Sequence, residues 1–271
     1  MFDLTNRVVA ITGGAGLLGS RYAHALARCG ACVAILDLVG SRVEKIVNAV
    51  NEHATGACRG FVVDITDEDA VAGCADAVAE AFGRVDSLVN NAANNPKVED
   101  GLGGAATRLE NFSLARWNAD VAVGLTGAFL CAKHFGARIA RGGNGGTIVN
   151  IASDLGVIAP DQRLYRQDGL PGDEQEVKPV TYSVVKSGII GLTRYLSTYW
   201  AEQNVRSNAL CLGGVQTSQP ESFLRRIESR IPLGRMAMPD EYDGTIVYMV
   251  SDEARYMNGA VVSVDGGRTA W

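Results

Sequence analysis

The chain has 271 residues and a formal net charge of −5 at pH 7. This length suffices for one large domain with a sizeable core, and neither a linker-like stretch nor an internal repeat divides it. The acidic balance argues against a nucleic-acid partner. The sequence shows no recognisable signal peptide, and no apolar run approaches the ~20 residues that a membrane span needs. These features predict a cytoplasmic protein with no membrane partner.

Strand-length apolar runs alternate with longer segments of helical periodicity along the chain. The runs are nearly continuous and rich in β-branched residues, which is typical of parallel strands covered on both faces. The predicted strands span residues 8–12, 32–37, 61–64, 87–90, 147–152, 205–212 and 261–264. The predicted helices span 17–28, 41–53, 67–82, 113–141, 181–203, 220–230 and 240–250, with Ser41 and either Thr66 or Asp67 as N-terminal caps. This alternation predicts a single α/β domain over residues 1–271, with a Rossmann-type, doubly wound sheet of seven parallel strands and helices on both faces.

An irregular, polar stretch over residues 155–179 interrupts this alternation, and it holds three prolines and an acidic cluster. Loops of this length within a domain are commonly functional or disordered. Two interpretations stay open, a solvated surface loop and a part of the substrate site.

The cysteines and histidines do not form a recognisable redox or metal site. Cys29 and Cys32 make a C-x-x-C pair, but Cys29 closes a predicted helix and Cys32 opens a strand, so neither thiol has the helix N-terminus that would lower its pKa. The histidines His24, His53 and His134 lack metal-ligand spacing. We therefore expect reduced structural cysteines and no metal.

The first predicted strand runs into a glycine-rich turn that opens the first helix. A dinucleotide pyrophosphate needs free backbone N–H groups, close approach of the chain and a helix N-terminus aimed at its charge. The glycines at positions 14, 16 and 19 have the spacing of the dinucleotide fingerprint, at the expected place between strand and helix. A glycine-rich turn without a ligand is the alternative. The residues predicted to bind the pyrophosphate are Gly13, Gly14, Gly16, Leu17, Leu18 and Gly19.

Asp37 ends the second predicted strand, about 20 residues after the glycine turn. A carboxylate there accepts hydrogen bonds from both adenosine ribose hydroxyls and repels a 2′-phosphate. No Lys or Arg precedes Arg42 on this segment, so the sequence favours NAD over NADP. The alternative is an Asp that only caps the following turn.

Tyr182 and Lys186 lie four residues apart in the predicted helix 181–203, and therefore on one face of it. A phenol titrates near ~10, and an ammonium one turn away favours the phenolate and lowers that pKa. Ser153, just past the fifth strand, is predicted to donate a hydrogen bond to the substrate oxygen. Tyr-x-x-x-Lys alone is common on solvated helix faces, so its assignment depends on the rest of the chain.

With these residues the chain resembles the short-chain dehydrogenase/reductase family, from Leu4 to Arg268. The resemblance implies that Ser153, Tyr182 and Lys186 are catalytic and that Lys186 also binds the nicotinamide ribose. It further implies contacts with the adenosine half of the cofactor from Asp64, Ile65, Asn91, Ala92 and Ala93. Contacts with the nicotinamide half are implied for Tyr182, Lys186, Gly214, Val215 and Thr217.

Several positions depart from the family pattern. Leu17 replaces the middle glycine of the turn, Leu212 replaces a proline, and Gly124 replaces the fourth catalytic residue, an Asn. In the family the backbone carbonyl of that Asn holds a water of a proton relay; Gly124 keeps the carbonyl and loses the side chain. The stretch between Ser153 and Tyr182 exceeds the usual spacing by some 16 residues. Together these features resemble a bacterial subgroup associated with surface-polysaccharide and flagellin-sugar (nonulosonic acid) pathways.

The resemblance implies an NAD-dependent oxidoreductase acting on a CH–OH group of a small molecule, a sugar or sugar phosphate of surface-glycan synthesis. A small alcohol, a polyol or a 3-oxoacyl compound is the alternative substrate, and a non-catalytic NAD-binding protein is the alternative class. A homodimer or homotetramer paired through the two long helices is also implied. The residues expected to contact substrate are Asp154, Arg163, Tyr165, Arg166 and Lys178.

Overall fold

The computed structural model describes residues 2–54, 56–94 and 104–271. Within these ranges seven strands form one parallel sheet in the order β3-β2-β1-β4-β5-β6-β7, so the predicted fold is confirmed. The strands are β1 (Val8–Thr12), β2 (Cys32–Asp37), β3 (Cys58–Val62), β4 (Ser87–Asn90), β5 (Gly146–Ser153), β6 (Val205–Leu212) and β7 (Val261–Val264). The strand order reverses between β1 and β4, and in doubly wound sheets a ligand crevice opens at that point, at the carboxyl ends of the strands.

Helices cover both faces of the sheet. They are α1 (Leu17–Arg28), α2 (Gly40–Asn51), α3 (Glu68–Phe82), α4 (Leu114–Val121), α5 (Gly127–Cys131), α6 (Ala137–Arg141), α7 (Val180–Tyr199), α8 (Glu221–Glu228) and α9 (Asp243–Val250). In the described part of the chain, none of them combines the length and the apolarity that a membrane span requires.

The central strand β1 contributes to a separate hydrophobic core on each face. Val9 and Ile11 pack into the core that holds Tyr22 and Leu26 of α1. Val8 and Ala10 point the other way, into the core that covers the opposite face. Because successive side chains alternate across a strand, burial on both faces requires the continuous apolar run that the sequence shows.

Two predicted boundaries are wrong at the edge of the sheet. Strand β3 spans Cys58–Val62 rather than 61–64, because an edge strand is half-solvated and lacks a continuous apolar run. Helix α2 begins at Gly40 with Val39 as its N-cap, and no side chain caps it, so Ser41 is not the cap. The Asp67 cap of α3 is confirmed, since its side chain accepts a hydrogen bond from Ala70 N.

The predicted helix 113–141 is not a uniform α-helix. It begins at the Ser113 cap and contains two π-helical turns, Ala122–Thr126 and Ala132–Gly136. A glycine lies in each turn: a Cβ on Gly136 would lie 2.4 Å from the Trp200 ring, which follows α7. The two long helical segments therefore pack closely. The second one ends at Tyr199 instead of residue 203, and a 3₁₀ turn follows it.

One turn and both ends of the 155–179 stretch pack against the rest of the molecule, and residues 166–174 are exposed. A 3₁₀ turn, Gln162–Tyr165, places Leu164 in a small core with Ile227, Ile231 and Met236 at the end of α8. Lys178 N donates to Gln162 Oε1 at 2.8 Å, which fixes the end of the stretch to this turn. The interpretation as a solvated loop therefore does not hold for the turn, and the stretch returns to α7 beside the crevice.

Candidate active site

The glycine-rich turn brings β1, α1 and the end of β4 into close contact. Gly13 has φ +59°, and a Cβ there would lie 2.9 Å from Ala92 Cα. At Gly19 a Cβ would lie 2.2 Å from Gly13 O. These two positions require glycine for the fold of the turn itself, whether or not a ligand is bound.

The segment after β4 holds the turn in place. Asn91 Nδ2 donates to Thr12 O at 3.0 Å and to Gly13 O at 3.1 Å. The backbone N–H groups of Asn91 and Ala92 both donate to Thr12 Oγ1. Asn91 and Ala92 therefore position the glycine turn. This role differs from the direct contact with adenosine that the family resemblance implied.

The geometry of the turn fits a dinucleotide. Helix α1 begins after Gly16, and no side chain caps its first backbone N–H groups. Those groups include Leu17 N and Leu18 N, and an uncapped helix N-terminus is a ready anion site. Asp37 Oδ2 accepts from Ala15 N at 3.1 Å, so the carboxylate lies directly beside the turn. The pyrophosphate would lie on the N-terminus of α1, with the adenosine ribose towards Asp37.

The other residues expected to bind the cofactor lie after the carboxyl ends of β3, β4 and β6. Asp64 is exposed and accepts from Thr66 N and Oγ1, and these hydrogen bonds lower its pKa. Ile65 beside it is buried. The segment after β6 is held by a bridge between Val215 and Ala237. Three further residues were expected to bind the cofactor. Ala93 lines the cleft described below, and Gly214 and Thr217 lie on either side of the bridge.

The structure brings Ser153, Tyr182 and Lys186 together at the carboxyl end of β5. Ser153 ends the strand and is hydrogen-bonded with Tyr182. Lys186 Nζ donates to Ile151 O at 2.9 Å and lies 6.0 Å from the Tyr182 ring centroid. Tyr182 and Lys186 line an open cleft together with Ala93, which adjoins the glycine turn. The phenol thus faces the space between the predicted cofactor site and the substrate cleft.

Burial dominates the ionisation of both α7 residues. It raises the pKa of Tyr182, and the hydrogen bond with Ser153 and the charge of Arg268 oppose this rise. The net direction is opposite to the lowering expected from Lys186. Burial also lowers the pKa of Lys186, to about 8. In the chain by itself the phenol is therefore held protonated, ready to donate a proton.

A buried ion pair that was not predicted from the sequence adjoins Ser153. Asp154 Oδ2 accepts from Arg268 Nη1 at 2.6 Å, and the side chains are 4% and 8% exposed. Ser153 Oγ donates to Asp154 Oδ1 at 2.7 Å. Two expectations need correction as a result. Asp154 is engaged by Arg268 and Ser153 and is not free for substrate, and in this state the Ser153 proton is directed to Asp154 instead of to a substrate oxygen.

Gly124 lies in the first π turn, against α7. A Cβ at this position would lie 2.5 Å from Val185 Cγ1. Val185 lies between Tyr182 and Lys186 on α7, so the glycine allows the two helices to approach at the catalytic residues. An Asn cannot be accommodated here without a shift, which explains the departure from the family pattern by packing.

The predicted substrate residues of the 155–179 stretch divide into two groups. Arg163 donates through Nε and Nη2 to Asp161, so its guanidinium fork is already occupied, and Arg166 is exposed. Tyr165 packs against the Phe223 ring. Lys178 alone of these residues lines the cleft, where its Nζ lies 3.8 Å from the centroid of the Tyr182 ring.

Comparisons with known proteins agree with this fold. A model described as short chain dehydrogenase matches residues 7–165, and one described as enoyl-(acyl carrier protein) reductase matches residues 173–269. The D-threitol dehydrogenase of Mycolicibacterium smegmatis is 34% identical, over 99% of this chain and 95% of its own. The cis-4-hydroxycyclohexanecarboxylate dehydrogenase of Sinomonas cyclohexanicum is 32% identical, over 97% of each chain. A crystal structure of a short-chain type dehydrogenase/reductase from Mycobacterium marinum superposes with a TM-score of 0.84 at 27% identity, covering 100% and 98% of the two chains. The chain belongs to the short-chain dehydrogenase/reductase family, whose members are oxidoreductases that use a nicotinamide cofactor.

Proposed function

We propose that this chain is an NAD-dependent dehydrogenase that interconverts a secondary alcohol and a ketone on a polyol-like or sugar-like substrate. The observation that carries the proposal is that Tyr182 and Lys186 line one cleft beside the glycine turn and that Ser153 interacts with Tyr182. A non-catalytic NAD-binding protein would have no need of a phenol and an ammonium in this arrangement.

The chain's own residues account for the proton transfer. In the direction of oxidation, Tyr182 as phenolate accepts the hydroxyl proton of the substrate while the C–H bond of the same carbon breaks as a hydride. When bound, the nicotinamide supplies the hydride acceptor. Lys186, with two N–H donors left beyond its bond to Ile151 O, would hold the nicotinamide ribose and favour the phenolate by its charge. In the direction of reduction, the protonated phenol donates the same proton to the carbonyl oxygen.

Ser153 orients the reacting oxygen. Its proton is directed to Asp154 and its oxygen accepts from Leu155 N, so the hydroxyl would exchange one of these contacts for the substrate. A carbonyl oxygen needs a donor, which requires the Ser153 hydroxyl to rotate away from Asp154.

The substrate class is proposed from relatives and from the cleft. One relative is named as a dehydrogenase of a four-carbon polyol and another as a dehydrogenase of a hydroxylated cyclohexane carboxylate. The narrower expectation of a sugar or sugar phosphate in surface-glycan synthesis stays a prediction, since the relatives reported above belong to polyol and other alcohol metabolism. Pairing into a homodimer or homotetramer also stays a prediction. On α7, one of the two helices expected to pair, the apolar residues Val185, Ile189 and Leu196 are buried within the chain.

A substrate screen tests the proposed function. Purified protein is incubated with NAD and a panel of polyols, sugars, phosphorylated sugars and 3-hydroxyacyl compounds, and NADH formation is followed by absorbance. Turnover of a polyol or sugar supports the proposal. Exclusive turnover of 3-hydroxyacyl compounds would contradict the proposed substrate class. NADH binding without any turnover would favour the non-catalytic alternative.

Gly19→Ala is expected to weaken NADH binding at least about tenfold, which is what the loss of a single charge-assisted hydrogen bond costs. The new Cβ would lie 2.2 Å from Gly13 O, so the turn must open and its N–H groups move. Gly73→Ala in α3 is the matched control, because nothing lies within 4 Å of its Cβ. Calorimetric titration with NADH measures both variants. Equal affinities for the two would exclude the turn as the pyrophosphate site.

Asp37→Ala is expected to reduce the preference for NAD over NADP by at least about tenfold in the ratio of kcat/KM values, since a like-charge repulsion is removed. The carboxylate also accepts from Ala15 N, so Asp37→Asn is a useful second variant that keeps an acceptor for the turn. A wild-type protein that prefers NADP would contradict the assignment of NAD.

A further inference from the structure

Lys178 lies over the face of the catalytic tyrosine. Its Nζ is 3.8 Å from the Tyr182 ring centroid, closer than the 6.0 Å of Lys186. Lys178, Tyr182 and Lys186 are spaced at four-residue intervals, but α7 begins only at Val180, after Pro179 as its N-cap. Because a residue before proline is disfavoured in helical conformation, Lys178 lies off the helix and reaches back across the ring.

This ammonium has no anionic partner in the part of the chain that the structure describes. The side chain is partly buried, and its nearest charged influences are Asp154, which is paired with Arg268, and Arg268 itself. Burial lowers the pKa of Lys178 to about 8, so the group is still mainly an ammonium at pH 7. Protein cations that lose water are normally paired, because an unpaired buried charge is costly.

The other charged groups that line the cleft have partners or roles of their own. Lys186 donates to Ile151 O, and its two remaining N–H donors are assigned to the nicotinamide ribose. Asp120 accepts from Thr181 Oγ1 at 2.5 Å. Among the described residues that line the cleft, Lys178 is therefore the cation left to bind a substrate group, and it lies over the ring that transfers the proton.

We propose that Lys178 binds an oxyanion of the substrate, a carboxylate or a phosphate monoester, close to the carbon that is oxidised or reduced. This inference rests on the proposed function, and it narrows the substrate to a hydroxy acid or a phosphorylated sugar or polyol. The sequence suggested Arg163 and Arg166 for this role, and we assign it instead to Lys178, near the end of the same stretch.

The test compares matched substrates that differ only in charge. Polyols of four to six carbons, the corresponding aldonates and the corresponding phosphate monoesters are assayed with NAD. Wild-type protein is expected to favour an anionic compound over the corresponding neutral polyol by about 10- to 100-fold in kcat/KM. One charge-assisted hydrogen bond contributes a factor of about this size. Lys178→Met should abolish that preference, mainly through KM. Lys178→Arg should restore part of it. Lys45→Met, which removes an exposed lysine of α2, should change nothing.

Two outcomes overturn the inference and leave the proposed function intact. One is a wild-type protein that turns over neutral polyols at least as well as their anionic partners. The other is a Lys178→Met variant that loses kcat equally on neutral and anionic substrates, since the cation would then act on Tyr182 alone.

A binding measurement keeps the inference testable if the proposed function fails. Malonate and inorganic phosphate are titrated into the NADH complex by calorimetry, as separate probes for a carboxylate and a phosphate. Binding to wild-type protein that is weakened at least about tenfold in Lys178→Met supports the oxyanion site even without turnover. Failure of both anions to bind wild-type protein overturns it.

Discussion

Tyr182→Phe is expected to lower kcat by about 10²- to 10⁴-fold, the contribution of a general acid–base group. The ring stays, so its packing and the contact with Lys178 are retained. The hydroxyl that is hydrogen-bonded with Ser153 is lost, and with it the proton acceptor for the substrate. NADH affinity should change little, because the proposed pyrophosphate site is the glycine turn. Initial rates with the best substrate from the screen, together with NADH titration, measure both quantities.

Tyr195→Phe is the matched control, since Tyr195 lies on the same helix and is 62% exposed. It should keep wild-type turnover. Near-normal turnover of Tyr182→Phe, with loss of activity in Tyr165→Phe instead, would transfer the acid–base role to Tyr165.

Arg268→Met is expected to destabilise the fold by about 3–5 kcal/mol, the usual cost of removing one partner of a buried ion pair. The variant leaves the Asp154 carboxylate buried at 4% exposure without its counter-charge. Arg225→Met is the control, because Arg225 and Glu221 form an exposed pair of the kind worth at most about 1 kcal/mol. Urea unfolding at one protein concentration compares the two variants.

The double variant Asp154→Asn/Arg268→Met separates pairing from packing. It should be more stable than Arg268→Met, because it no longer buries an uncompensated carboxylate. Similar destabilisation by Arg268→Met and Arg225→Met would show that the pair contributes nothing specific.

The same ion pair affects the pH dependence of the reaction. Arg268 lowers the pKa of Tyr182 and Asp154 raises it. Removing Arg268 alone should therefore raise the pKa of Tyr182. Alcohol oxidation needs the phenolate, so its rate in Arg268→Met should rise at a higher pH than in wild-type protein. A profile shifted to lower pH would contradict this electrostatic coupling.

The local spacing of residues determined much of the fold and of the candidate site. Hydrophobic periodicity predicted the seven strands, because a strand buried on both faces must be apolar at every position. Tyr182 and Lys186 share a helix face because four residues make about one turn. The glycine turn was recognisable from the spacing of Gly14, Gly16 and Gly19 between a predicted strand and a predicted helix. These features depend on neighbours within a few residues, which the sequence displays directly.

The tertiary structure alone decided the features that depend on distant contacts. Asp154 and Arg268 are 114 residues apart, and only the assembled sheet pairs them beside Ser153. Gly124 is explained by Val185, which belongs to another helix. Lys178 lies over Tyr182 because the chain turns at Pro179 and leaves the axis of the helix that holds Tyr182. A charged side chain takes its partner from whatever folding brings near it, and that information is absent from spacing along the chain.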